Sequence, residues 1–193
     1  MTPDGRHGTV TLVRHAETEW SLSRRHTGRT DVPLTDSGRE KARALAERLR
    51  GRSFDRVLTS PLSRAAETAR LAGFPDAERD PDLMEWDYGD DEGLTTPQIR
   101  EERGAGWLLW HDGAAGGEVA DDVGARADRV IARVTADDGD VLVFAHGHVL
   151  RVFAARWLEQ PARFGARLVL DTGTLSVLGY EHDVRAVLSW NVG

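Results

Sequence analysis

VTLVRHAETEW, residues 10–20, opens the readable part of the chain: four apolar residues, Val10 to Val13, run without a break into Arg14-His15. A short continuous apolar run that stops abruptly at charged residues reads as a strand buried on both faces. DVLVFAH, residues 140–146, repeats the pattern late in the chain and ends at His146. Between them, from Thr35, the apolar residues Ala42, Leu45, Ala46 and Leu49 recur at helical spacing, with Thr35 or Asp36 as the cap. Arg56 to Thr59 reads as a second strand, and Ser60-Pro61 as the N-cap and first residue of a helix running to about Leu71. Two further helices are expected, one over about 118–134 with Val123, Ala127, Val130, Ile131 and Val134 inward, and one from Gly147 with Leu150, Phe153, Ala154 and Trp157 inward. Segments near 166–170, 174–180 and 184–190 close the chain as β structure.

Alternating β and α units imply an α/β fold: a single three-layer domain spanning 1–193, with a mainly parallel central sheet and helices on both faces. Residues 73–117, rich in Gly, Pro and Asp, read as a long loop excursion on the substrate side. At 193 residues the chain is long enough for one sizeable core. Its 25 basic and 32 acidic side chains give a formal charge of -7, which disfavours nucleic acid and acidic membrane surfaces as partners. With no Cys, disulfides, thiolate catalysis and cysteine-zinc sites are excluded. Residues 1–8 carry no apolar signal core, so the cytoplasm is the expected location. Of the basic residues 24 are Arg, so a lone Arg says little by itself.

In a parallel sheet, ligands bind beyond the carboxyl ends of the strands, where loops and helix N-termini converge. Arg14-His15, Ser60-Pro61-Leu62-Ser63-Arg64 and His146-Gly147-His148 all follow strands, so two arginines and two imidazoles can meet there. Arg64, as the fourth residue of its helix, would lean back to the helix mouth. Arginines, a helix N-terminus and imidazoles suit a phosphate dianion, and a neutral imidazole nitrogen can attack phosphorus. Taken one at a time, each His or Arg is more readily a structural residue; their shared position at strand ends is what argues for a ligand.

LVRHAETEW (12–20), TGRTDVPLTDSG (27–38), TSPLSRAAETA (59–69), EWDYGDDEG (85–93) and AHGHVLR (145–151) together resemble the histidine phosphatase, or phosphoglycerate mutase-like, superfamily, and most closely its bacterial acid phosphatase subgroup. That resemblance implies that His15 is phosphorylated, that Arg14, Arg64 and His146 complete the phosphate pocket, and that Glu85 is the proton donor. Ser21, Thr27 and Gly28 match positions that line the substrate side of that pocket, and Gly147 and His148, next to His146, are further substrate-binding candidates. Ala16 stands where the family most often has Gly, and His148 where many relatives have Gly or Asn.

The expected activity is hydrolysis of a small-molecule phosphate ester through a phosphohistidine on His15, with no metal and no other cofactor. Three alternatives stand beside it, one of them a metal hydrolase using His146, His148 and nearby carboxylates, since His-x-His can ligate zinc. A cofactor-dependent phosphoglycerate mutase needs extra cations for a substrate carboxylate, and residues 94–117 offer only Arg100 and Arg103. A phosphate-binding module without turnover would have no use for Glu85. An exposed strand or the tryptophan-bearing loop could support a homodimer.

Overall fold

In the computed structural model, which describes residues 7–193, the apolar runs become neighbouring strands of one sheet. The opening MTPDGR, part of the segment read above as lacking a signal core, lies outside the described residues. The strands are β1 (Val10–Arg14), β2 (Arg56–Thr59), β3 (Glu78–Arg79), β4 (Val141–Ala145), β5 (Leu175–Glu181) and β6 (Val184–Val192), in the spatial order β3-β2-β4-β1-β5-β6. The first four are mutually parallel, and β5 and β6 join antiparallel at one side. This is the mainly parallel α/β sheet that the sequence implies.

Side-chain alternation along β1 and β4 sorts the core into two layers. Val13, Leu142 and Phe144 meet Leu45 and Leu49 of α2 (Asp36–Leu49) and Ala69 of α3 (Ser63–Leu71). Val10, Leu12, Val141 and Val143 face α6 (Ala120–Val134) and α7 (Gly147–Trp157), against Val123, Val130, Leu150 and Phe153. Leu12, Leu142 and Phe153 are fully enclosed, so truncation of any one to Ala should cost roughly 2–5 kcal/mol. Thr35 caps α2 by accepting the Gly38 N–H at 2.9 Å, as its sequence position suggests.

Three boundaries differ from the sequence reading. The helix after β2 begins at Ser63 with Leu62 as its cap, two residues later than Ser60-Pro61 suggests, because the Ser60 hydroxyl forms a local turn with the Leu62 N–H and accepts from His146. Residues 166–170 are not a strand: Ala162–Arg167 is a 3-10 turn, and the carbonyls of Val169 and Leu170 accept from the side chains of Trp190 and Arg14 rather than from a neighbouring strand. The 73–117 excursion carries β3, α4 (Thr96–Arg103) and α5 (Leu109–Asp112), and α1 (Glu19–Leu22) precedes α2.

Register fixes the functional edge. Arg14 pairs with Ala145 and Thr59 with Phe144, so the residues that follow β1, β2 and β4 lie side by side. The His15 N–H donates to the Ala145 carbonyl and the Ser60 N–H to the Phe144 carbonyl, both at 2.9 Å.

Candidate active site

His15 leaves β1 with its ring almost enclosed, at 5% exposure. Its Nδ1 lies 2.7 Å from the Ala16 carbonyl, an acceptor only, so Nδ1 carries the hydrogen and Nε2 keeps its lone pair. Burial, followed by the charges of Arg64 and Arg14, holds the imidazole well below the usual histidine pKa. A neutral ring with a free Nε2 is the form that attacks phosphorus. Ala16 is fully buried and its N–H donates to the Thr68 hydroxyl, so the smallest side chain after Gly is accommodated in this turn.

Arg14 extends from the same strand end and donates to the Leu170 carbonyl, while its Nε is a buried nitrogen with no partner among the described residues. An enclosed N–H without an acceptor costs free energy until an anion supplies one. Gly147 makes room for it: a Cβ there would lie 3.2 Å from Arg14 Cζ and 3.3 Å from Nε. The first turn of α7 thus sits directly beside the Arg14 guanidinium, where the helix dipole also favours negative charge.

Arg64 and His146 lie one layer behind. The two His rings, of residues 15 and 146, have centroids 5.2 Å apart. Arg64 is the second residue of α3, not the fourth, and none of its surface is exposed. Its Nε donates to His146 Nδ1 at 3.1 Å, and its terminal nitrogens donate to the carbonyls of Thr27, Gly28 and Thr30 at 2.9–3.0 Å. With Nδ1 accepting, His146 donates through Nε2 to the Ser60 hydroxyl at 2.7 Å, and burial, then Arg64 and His15, keeps it uncharged. Arg64 therefore ties the 27–30 loop to the sheet edge and adds positive charge behind His15. Gly28 permits this: a Cβ there would come within 2.5 Å of the Trp86 carbonyl.

Glu85 comes from the excursion and is 5% exposed. Its Oε1 accepts from the Trp86 and Val149 N–H groups at 2.9 Å, and its Oε2 from the His148 N–H at 3.0 Å. The carboxyl group is thus clamped on the α7 N-terminus. Arg126 braces the strand of chain that carries it, donating to the Asp82 and Met84 carbonyls at 2.7 and 2.8 Å and gripping Glu118 with two nitrogens, both at 2.8 Å. Glu118 in turn accepts from the Asp87 N–H, and its carbonyl from Trp86 Nε1.

A cavity of about 350 Å³ opens over this edge. Of the sequence-singled residues, Arg14, His15, Ser21, Thr27, Glu85, Gly147 and His148 line it, whereas Arg64, His146 and Gly28 stand behind its wall. The Ser21 hydroxyl is engaged with the backbone of Thr18. The reading of the sequence missed Tyr88, His26, Arg24 and Arg25, which also line the cavity. Burial holds the Tyr88 phenol protonated, so it donates to His148 Nδ1 at 2.6 Å, and His148 is itself kept neutral, chiefly by burial. Arg24 and Arg25 carried no signal in an arginine-rich chain. Arg100 and Arg103 do not reach the cavity: Arg100 Nε donates to the Trp107 carbonyl, and Arg103 pairs with Asp91 at 2.6 Å. Among the described residues, no three His, Asp or Glu side chains converge as metal ligands, and no helix is long and apolar enough to cross a membrane.

Residues 10–193 match the model of the histidine phosphatase superfamily, branch 1. An acid phosphatase of Mycobacterium tuberculosis is 42% identical over 184 residues, covering 93% of this chain and 90% of that protein. A 2,3-bisphosphoglycerate-dependent phosphoglycerate mutase of Mesorhizobium japonicum is 39% identical, covering 86% and 88%. The solved structure of the Rv3214 open reading frame product of M. tuberculosis superposes with a TM-score of 0.91 at 40% identity, over 97% of this chain and 98% of that one.

Proposed function

The chain belongs to the histidine phosphatase superfamily, and from that premise we propose that it hydrolyses small phosphate monoesters by passing the phosphoryl group through His15. The observation that carries this reading is the pairing of a forced tautomer with an unmatched donor: Nε2 of His15 bears a lone pair, and the buried Nε–H of Arg14, beside the same cavity, has no acceptor among the described residues. A phosphate dianion answers both.

In the first step His15 Nε2 attacks phosphorus in line as the bond to the ester oxygen breaks, and Glu85, entering as the carboxylic acid, gives its proton to the departing alkoxide. The phosphoryl group now sits on Nε2, its oxygens facing Arg14 and the α7 N-terminus. Water then attacks phosphorus, the nitrogen–phosphorus bond breaks, and the Glu85 carboxylate takes the water proton, restoring enzyme and releasing inorganic phosphate. Arg14 stabilises charge on the transferring group directly, and Arg64 contributes from behind while fixing the Thr27–Thr30 loop. His146 links Arg64 to Ser60, and its neutrality avoids placing a second proton beside the nucleophile.

Phosphatase is favoured over mutase by the 42% identity to an acid phosphatase over 93% of this chain, and Arg100 and Arg103 are committed elsewhere, Arg100 to a carbonyl and Arg103 to Asp91. The small cavity and a net charge of -7 support small esters rather than nucleic acid. The test is a phosphate-release screen over sugar phosphates, phosphorylated acids and nucleotides, run on wild type and His15→Ala in parallel. Release by wild type and none by the variant is the expected result; equal release by both would overturn the role of His15.

A further inference from the structure

The mechanism leaves two cations at the cavity rim unused. Arg24 and Arg25 are exposed and line the same cavity as His15. Among the described residues neither guanidinium has an ion-pair or hydrogen-bond partner, whereas Arg29, Arg39 and Arg56 each hold a carboxylate at 3.2 Å or less. Asp171 also lines the cavity, yet it pairs with neither: Asn191 Nδ2 donates to its Oδ2 at 2.9 Å and its charge acts on Arg14.

The backbone that presents the two arginines is fixed. The Arg24 N–H donates to the Ser21 carbonyl and the Arg25 N–H to the Trp20 carbonyl, Arg25 bridges to Thr95, and the next residue, His26, is bonded to Leu94 through its N–H. Arg24 holds a φ of 56°, in the left-handed region where Gly or Asn is cheaper. What sets these two guanidinium groups apart from other exposed arginines is their place on the rim of the His15 cavity, where, with no partner among the described residues, both are open to an anion that enters it. The cavity volume of about 350 Å³ lies at the small end of the usual ligand range of roughly 300–1,000 Å³, so that anion is joined to the ester phosphate by a short body.

We propose that Arg24 and Arg25 form a second anion subsite, and that the substrates carry a carboxylate or a second phosphate on a short body as well as the phosphate ester that is cleaved. The subsite rests on the reading of His15 as the phosphate end of the cavity. Guanidinium forks recognise either anion by paired hydrogen bonds, and two at one rim can engage one group jointly.

Two matched pairs of esters separate the sources of the anion: 3-phosphoglycerate against glycerol 3-phosphate for the carboxylate, and fructose 1,6-bisphosphate against fructose 1-phosphate for the phosphate. Wild type should favour the member with the second anionic group in at least one pair by about 10-fold in kcat/KM, the scale set by two partly exposed charge-assisted contacts. In the double variant Arg24→Asn/Arg25→Gln, whose Asn suits the left-handed backbone, that ratio should fall toward one. Raising ionic strength from about 0.05 M to about 0.5 M should shrink the wild-type ratio through screening, a measurement that decides even if the variant does not fold. A ratio near one in both wild-type pairs, a ratio insensitive to salt, or a ratio unchanged in the folded variant would overturn the subsite. Turnover of esters that carry the phosphate as their one anionic group, without preference, removes the subsite alone; no release from any ester removes the His15 reading and the subsite with it.

Discussion

Acidification should destabilise this protein through its neutral histidines. His15 and His146 are 5% and 0% exposed, and burial reinforced by Arg64 drives both well below the usual histidine range. In the unfolded chain the same rings titrate near 6.5. The unfolded chain therefore binds more protons than the fold as pH falls past that value, so stability is fully present above about pH 6.5 and drains away below it. For a ring that stays neutral in the fold the loss is RT ln(1 + 10^(6.5 − pH)), which between about pH 7.5 and 5.5 comes to about 1.4 kcal/mol. Two rings give about 3 kcal/mol; His148, also held neutral but bordering the cavity, brings the upper bound to about 4 kcal/mol. Against a usual total of about 5–15 kcal/mol this is a large fraction. Urea unfolding followed by the fluorescence of the six tryptophans, at several pH values across that interval, reads it directly. His15→Gln should flatten the dependence by about 1.4 kcal/mol. A flat wild-type profile, or a variant profile as steep as the wild type, would refute the assignment of these rings as neutral in the fold.

Arg14→Ala, which removes the buried unmatched donor, should lower kcat by about 10²–10³-fold in steady-state phosphate release; a loss smaller than about 10-fold would show that Arg14 does not face the transferring group. Arg126 acts through Glu85 by holding the Asp82–Glu85 carbonyls, so Arg126→Met should reduce kcat by about 10-fold with KM little changed and cost about 2 kcal/mol of stability, since Glu118 loses its partner. Equal changes in kcat and KM, or none, would count against that positioning role. Saturating chelator should leave turnover intact, because every step above uses side chains of this chain; abolition by chelator and recovery on adding a divalent metal would replace the mechanism.

Much of the architecture was legible because its central strands are continuous apolar runs with polar ends. VTLV and DVLVFA need burial on both faces, and where they stop, His15 and His146 are delivered to one edge by the parallel register. Helices with a clear apolar stripe, such as the one carrying Val123, Ala127, Val130 and Ile131, were legible for the same reason. TPQIREER was not, since only Ile99 of that helix is buried and the Gly, Pro and Asp around it dominate the composition. Its local mark is the Thr95–Gln98 capping box, in which the Thr95 N–H donates to Gln98 Oε1 at 2.9 Å. Ser60-Pro61 misled because the serine hydroxyl serves a turn and His146 rather than the helix. Glu85 could be singled out only through family resemblance, for what places it is the amide row of α7, more than sixty residues away. Tyr88, His26, Arg24 and Arg25 reach the cavity by tertiary folding of loops whose sequence has no periodicity.

The central claim is that the phosphoryl group rests on His15 Nε2 between the two half-reactions. Rapid mixing with a turned-over ester, an alkaline quench that preserves phosphohistidine, and peptide mass spectrometry examine it directly. One phosphoryl group on the peptide containing His15, absent in His15→Ala, is the result this account requires. Steady turnover with no label on that peptide, or with the label on another residue, would contradict it.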